Sequence, residues 1–290
     1  MAERGREEAA GGRPEVARSE RFRRVSALEA KGSRLAAAFP EGPLRRALRA
    51  AYRATLGLVG RGRIEARLPG GEAVRLLPDY RFVTWNPAEY EAFRDAARPG
   101  AVALDVGANV GAYALLLGQW VRPGGRVYAF EPAPEAFGGL ERHVALNGLG
   151  DTVVPVRAAA AAATGTATLS VDGASGANRL AGAAEGERVE TVTIDDFCAR
   201  EGIRPSFIKL DVEGAELDAL RGARETIAAA GDALALFVEM HPSVWKGMGI
   251  TAADVHAELD RQGLRAEPLR PVADPWALEG ECLRLVPIAR

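Results

Sequence analysis

Cysteine is nearly absent: Cys198 and Cys282 are the only two in 290 residues. That excludes a disulfide framework and leaves too few thiols for a cysteine zinc site. Such usage fits a reducing, cytoplasmic setting. Lysine is confined to Lys31, Lys209 and Lys246, and histidine to three positions, so a lysine inside a strand needs a reason. No uninterrupted apolar run reaches the roughly 18 residues of a membrane-spanning helix. The opening residues, Met-Ala-Glu-Arg-Gly-Arg-Glu-Glu, lack the apolar stretch of a signal peptide. Stable membrane insertion is therefore not expected. No internal repeat is visible.

What is present is ordinary globular material, with 48% hydrophobic and 26% charged residues. A chain of this length can bury about 75% of its unfolded surface without staples. The net charge of −2 hides an asymmetry: residues 1–50 hold 12 basic and 7 acidic side chains, the remainder 25 and 32. An acidic body argues against a nucleic-acid-binding core.

Three regions are expected: a mobile tail over 1–35, an N-terminal helix and β cap over 36–87, and a ligand-binding domain over 88–290. The tail is Arg/Glu/Ala/Gly-rich without apolar periodicity. In 43–61, Leu44, Leu48, Tyr52, Leu56 and Val59 recur at helical spacing among arginines. The helix either packs on the body with a solvated Arg face, closes over an anionic substrate, or lies on a membrane surface. Short strands are expected around Gly70-Gly71, then a helix over 88–97. From Ala101 apolar strands alternate with helices. Strands are expected at 101–106, 126–131, 152–157, 206–211 and 233–239, and helices at 110–121, 133–147, 215–230 and 251–262. Two β-like runs, 166–171 and 188–194, lie between, and 264–270 with 281–287 form a closing pair. This alternation predicts an α/β fold, a mostly parallel sheet with helices on both faces.

In such a sheet, ligands bind outside the carboxyl ends of the strands. The first of these strands ends in Asp105-Val106-Gly107-Ala108-Asn109-Val110-Gly111. Gly107 permits a sharp turn, Asn109 suits a helix N-cap, and Gly111 lets a ligand approach the backbone. The spacing matches neither a dinucleotide G-x-G-x-x-G loop nor a P-loop. Asp105 suits a cationic ligand group better than a pyrophosphate. The next strand ends in Glu131-Pro132, where a carboxylate can accept hydrogen bonds from two ribose hydroxyls. A plain βαβ turn with a surface glutamate is the structural alternative.

The blocks DVGANVGAYALLL, AFEPAPEAFGGLERHVALNG, TVTIDDF and FIKLDVEGAELDALRGA together resemble the FkbM family of S-adenosylmethionine-dependent methyltransferases, over about residues 88–242. The resemblance implies a Rossmann-like class I fold, with seven strands of which the last is antiparallel. It implies that Asp105, Gly107, Ala108, Asn109 and Gly111 line the amino-acid portion of S-adenosylmethionine, with S-adenosylhomocysteine as product. Glu131 would hold the ribose hydroxyls and Pro132 would shape the turn. Related enzymes often offer an acidic residue to adenine after the third strand. Here Arg157-Ala158-Ala159 stands there, so backbone at Ala158 is expected to serve. Glu91 sits where related sequences often carry an acid.

Two strands carry the remaining candidates. Lys209 and Asp211 share a strand face, about 7 Å apart along the strand. A buried ammonium is costly unless paired. Either Lys209 forms a structural pair with Asp211 or Glu239, or Lys209 and Asp211 flank the transferring methyl. Glu213 and Glu216 open the next helix, where carboxylates suit the helix dipole. Glu239 and His241 share a face at the next strand end. His241 can be a general base, a metal ligand or a loop-fixing side chain. Asp211, Glu239 and His241 could hold Mg²⁺, although histidine is an uncommon Mg²⁺ ligand.

The expected reaction is in-line methyl transfer to a hydroxyl of a small-molecule acceptor, a sugar or natural-product intermediate, because the family is associated with such O-methylation. Alignment of acceptor, methyl and sulfur can supply about 7–11 kcal/mol. The alternatives are N-methylation, a non-catalytic S-adenosylmethionine-binding module and a NAD-dependent oxidoreductase. Segments 36–90, 172–187 and 242–250 are expected to fold over the strand ends and choose the acceptor. A homodimer is left open.

Overall fold

Apolar β-branched runs bounded by glycine and proline build the sheet, and helices of 3.6-residue periodicity cover it. The computed structural model describes residues 63–171, 178–181, 186–272, 274, 276 and 280–288. The expected tail over 1–35, the helix over 43–61 and parts of the 172–187 segment lie outside the described residues. Two compact units, Met1–Pro87 and Ala88–Arg290, are distinguished by their internal contacts.

In the first unit, β1 (Ile64–Arg67) and β2 (Ala73–Leu76) form an antiparallel hairpin with Ile64 opposite Leu76. The turn passes through Gly71 at φ +94°, and a 3₁₀ turn follows at Pro78–Tyr80.

The second unit opens with α1 (Pro87–Ala96), which begins on a proline whose missing N–H costs nothing in a first turn. Its sheet is built from β3 (Val102–Val106), β4 (Arg126–Phe130), β5 (Val153–Val156), β10 (Phe207–Leu210), β11 (Ala235–Met240), β12 (Leu264–Pro268) and β13 (Glu281–Pro287). Their spatial order is β12-β13-β11-β10-β3-β4-β5. The five strands from β5 to β11 are mutually parallel, while β13 runs antiparallel to both β11 and β12. This is the Rossmann-like class I arrangement, with its antiparallel last strand. Between β5 and β10 the chain makes a separate four-stranded sheet, β6 (Ala159–Ala160), β7 (Gly165–Val171), β8 (Asn178–Ala181) and β9 (Glu187–Val192), in the order β6-β9-β7-β8.

The sheet's two faces differ. Leu104, Val106, Ile208, Leu210, Leu236 and Val238 belong to one core with Phe197 of α4 (Ile194–Glu201), Leu217 and Leu220 of α5 (Glu216–Arg221), and Val255 and Leu259 of α8 (Ala252–Gln262). On the opposite face Phe93 of α1 packs its fully buried ring against Phe207 and Phe237, with centroids 5.6 and 4.8 Å away. It also meets Tyr113 of α2 (Ala112–Trp120) edge-on at 4.9 Å. Each such ring pair adds about 0.5–1.5 kcal/mol beyond area burial. The odd-numbered strand positions, including Asp105 and Lys209, therefore project toward the α1 and α2 side.

Three expectations need correction. The helix expected over 215–230 is two, α5 and α6 (Arg224–Ala230). They divide at Gly222, where a Cβ would lie 2.1 Å from Ala161 O, because this turn docks against the start of the small sheet. Helix α4 was not expected. Its Thr193 cap accepts from the Asp196 N–H, and Gly202 closes it at φ +65°. The short α7 (Pro242–Gly247) directly after β11 was also not expected. The remaining helix, α3 (Pro134–Leu146), follows β4. Among the described residues, no helix is long and apolar enough to cross a membrane.

Candidate active site

The carboxyl ends of β3, β4, β10 and β11 lie side by side, and the loops leaving them build the site. After β3 the chain turns at Gly107, φ +82°, and a Cβ there would sit 1.7 Å from Asp211 O. The bare α-carbon thus lets the β3 and β10 loops touch. Gly111, φ +95°, is the N-cap of α2, and a Cβ there would meet Leu140 Cδ1 at 2.8 Å. The bare α-carbon of Gly111 thus also makes room for the protein's own Leu140. Asn109, expected as the N-cap, is not it. It is exposed, takes a left-handed φ of +48°, and its backbone N–H donates to Glu131 Oε2 at 2.9 Å. The amides of Gly107 and the buried Ala108 both donate to Phe130 O, at 3.0 and 2.8 Å.

Glu131 is buried at the end of β4, and its Oε1 accepts the Ala133 N–H at 2.8 Å, closing the turn around the half-buried Pro132. Burial outweighs the bonds from Ala133 and Asn109 and pushes this carboxyl up to about 7. Each oxygen retains capacity for one more donor. At Ala158, after β5, the N–H is committed to Val156 O at 3.0 Å.

Lys209 pairs in register with Asp105 on one side and Phe237 on the other. Its Nζ donates to Asp211 Oδ2 at 2.9 Å, lies 3.8 Å from Asp105 Oδ1, and is only 3% exposed. Burial alone would lower this ammonium's pKa, but Asp211 and Asp105 outweigh it and hold it above the usual value. The structural pair expected from the sequence is therefore real, and Asp211 rather than Glu239 is its hydrogen-bonded partner. Asp105 is fully buried, and neither carboxylate oxygen has a hydrogen-bond partner among the described residues. Burial raises its pKa, against the pull of Lys209. Lys209, 3.8 Å away, is the cation that offsets this buried charge.

Glu91 does not join this cluster; it is exposed on α1. Glu89, two residues earlier, is the buried acid. Burial raises its pKa against a hydrogen bond from Tyr113 and the charge of Lys209. Helical spacing could have found it, since Glu89 and Phe93 are four residues apart on the buried face. Tyr113 sits with its ring 5.4 Å from Lys209 Nζ.

His241 follows β11 and lies at the head of α7. Its Nδ1 is 2.8 Å from Glu216 Oε1, and the same oxygen accepts the Gly214 N–H at 2.8 Å. Glu216 Oε2 accepts from Trp245 Nε1 at 2.6 Å. The expectation that Glu216 serves the helix start holds only in part: it also clamps the histidine. The Nε2 of His241 faces Glu213 Oε2 and Glu239 Oε1, each at 3.7 Å, and Asp211 Oδ1 at 3.9 Å. Burial would lower the imidazole pKa, but the bond to Glu216 and the charges of Glu216, Asp211 and Glu213 raise it to about 9. These neighbours favour the charged imidazolium. Glu239, pushed up by burial and by Asp211, lies opposite the buried Cys282 of β13. Asp211, Glu239 and His241 each present one ligand atom within 4.8 Å of the others. Of the segments expected to choose the acceptor, the described 242–250 stretch meets Glu216 through Trp245.

A family model described as the methyltransferase FkbM domain matches residues 105–265. The chain is 28% identical over 154 residues to the hexuronic acid methyltransferase AglP of Haloferax volcanii, covering 52% of this chain and 60% of that one. Among solved structures it is similar to a methyltransferase FkbM from Methylobacillus flagellatus, with 19% identity and a TM-score of 0.43 over 68% of this chain and 50% of that one. A S-adenosylmethionine-dependent O-methyltransferase from Thermotoga maritima shows 16% identity and a TM-score of 0.41 over 78% of each chain. The match thus spans between half and two thirds of the Haloferax and Methylobacillus proteins.

Proposed function

The chain belongs to the FkbM methyltransferase family, and from that premise we propose that it methylates a hydroxyl of a small sugar or natural-product acceptor, with S-adenosylmethionine as donor. The observation that carries the reading is Glu131, a buried carboxyl at the end of β4 whose oxygens accept only the Asn109 and Ala133 amides among the described residues and keep acceptor capacity for the donor's ribose hydroxyls. The bound donor supplies a sulfonium methyl with a good leaving group.

The chain's own residues then have limited chemical tasks. Lys209 holds Asp211 in place and offsets the charge of Asp105. Asp211, Glu239 and His241 are the groups assigned in this reading to the acceptor. Glu216 and Trp245 fix His241. Most of the barrier reduction would come from alignment, about 7–11 kcal/mol. The Haloferax relative is named for a hexuronic acid, which supports a sugar hydroxyl as the acceptor class.

The test is calorimetry of the full chain with S-adenosylmethionine, S-adenosylhomocysteine and NAD, followed by methyl transfer to a panel of sugars. Micromolar affinity for the first two with methylated sugar is expected. Binding of NAD alone would replace the assignment by an oxidoreductase. Donor binding without transfer to any acceptor would leave a non-catalytic module.

A further inference from the structure

We propose that Asp211, Glu239 and His241 form a binding site for a divalent first-row transition-metal ion of the Mn²⁺ to Zn²⁺ group. The role of that ion in positioning an acceptor hydroxyl rests on the methyl-transfer reading above, but its binding does not.

The geometry is that of a prepared site. Glu216 is fully buried and accepts from Gly214 N, Trp245 Nε1 and His241 Nδ1. A carboxylate with that many donors cannot turn away, so Nδ1 must carry the imidazole proton. Nε2 is left facing the cluster, and an ion bound there would displace its proton to solvent. An imidazole fixed by a carboxylate on its far nitrogen is the usual arrangement of a metal-bound histidine. The His241 side chain is 7% exposed, and Nε2 is aimed at Asp211 Oδ1 and Glu239 Oε1, at 3.9 and 3.7 Å. Those separations are too long for hydrogen bonds. Two ligands each about 2.1 Å from a shared ion stand roughly 3–3.5 Å apart, so a small contraction would close the site.

Asp211 is divided between two tasks. Its Oδ2 receives Lys209 Nζ at 2.9 Å, while Oδ1 faces His241. One oxygen is anchored and the other presented. Glu239 arrives from β11, so the three ligands come from adjoining ends of the central sheet and α7 rather than from one mobile loop. Glu213, with Oε2 3.7 Å from the same Nε2, adds negative charge at the mouth.

The donor set selects the ion. Carboxylates alone would suit Mg²⁺, but an imidazole nitrogen shifts preference to first-row transition metals. The Mg²⁺ expected from the sequence is therefore replaced by a borderline ion that accepts both donors.

The test is a titration of the chelator-treated full chain with Mn²⁺ and Co²⁺, without S-adenosylmethionine, followed by calorimetry and by the visible absorption of Co²⁺. One ion per chain with micromolar affinity and a nitrogen-ligated Co²⁺ spectrum is expected. Millimolar Mg²⁺ should not displace it. His241→Ala and Glu239→Gln should each weaken binding at least tenfold, and Glu216→Gln about 10–100-fold. If His241→Ala does not fold, the near-isosteric Glu239→Gln decides. Absence of saturable binding below about 1 mM, or binding unchanged in these variants, overturns the site. S-adenosylmethionine binding, measured separately on metal-free protein, tests the methyl-transfer reading independently.

Discussion

Lys209 Nζ and Asp211 Oδ2 lie 2.9 Å apart at the carboxyl end of the central strand, with the lysine almost fully buried. The pair is not a surface ion pair of negligible worth, because Asp105, also buried, depends on the same ammonium. Lys209→Met should leave two carboxylates without a counter-charge and destabilise the protein by about 3–5 kcal/mol. Adding Asp105→Asn should recover part of that loss. Chemical denaturation of the single and double variants checks both; a loss below about 1 kcal/mol in the single variant would show that water reaches the pair.

Gly107 is required by the adjoining strand end. Gly107→Ala would force a Cβ to within 1.7 Å of Asp211 O at a φ of +82°. The β3 and β10 loops must separate, and a loss of at least about 2–4 kcal/mol is expected. Gly100→Ala has a similar φ of +84° but open space around it, so only the backbone term of about 1–2 kcal/mol should remain. Thermal unfolding of the two variants side by side separates crowding from strain.

Glu131 should make cofactor affinity depend on pH. Its carboxyl is pushed up from 4.5 to about 7 in the ligand-free protein. Its contribution to folding is complete below about pH 4.5 and is lost as pH rises through 7. Ribose hydroxyls favour the ionised form, so binding pulls the pKa down. S-adenosylmethionine should bind more tightly at pH 8 than at pH 6, with proton release in the lower range. Calorimetry in buffers of different ionisation enthalpy reads that proton, and Glu131→Gln should abolish the dependence.

His143 carries a separate acid sensitivity. It is fully buried in α3, and its Nδ1 donates to Val110 O at 2.7 Å, bracing the loop after β3. Burial lowers its pKa from 6.5, so its stabilising contribution is complete above pH 6.5 and is lost as pH falls below that value. His143→Leu should cost about 1–3 kcal/mol by leaving the Val110 carbonyl unpaired. It should also flatten the pH 5–7 limb of the stability profile.

Glu89 and Glu91 offer a contrast within one helix. Glu89→Gln should lower kcat/KM about tenfold or more by disturbing the charge balance around Lys209, whereas Glu91→Gln, at an exposed position, should stay within about twofold. Steady-state kinetics with a working acceptor provides the comparison.

Much of this architecture is legible in the sequence itself. Short, largely apolar runs such as Ala101–Val106 and Phe207–Asp211, set between helical segments, read as buried parallel strands. The separate small sheet was legible only as β-like runs, because alanine- and threonine-rich segments have little contrast between faces. Helix α7 was missed because six residues cannot display a period. Position along a strand also gave the shared face of Lys209 and Asp211, since alternation is a local property of the extended chain.

Which groups face one another across strands is a different matter, because pairing register and helix docking are set by packing of the whole core. Asp105 and Lys209 are about a hundred positions apart, and nothing local places them opposite each other. The same holds for the clamp of Glu216 and Trp245 on His241, and for Glu89 displacing Glu91 once Phe93 had settled among the aromatic rings. Local pattern specified the elements and the chemistry available at their ends; long-range burial selected which of those side chains would be forced to share charge and protons.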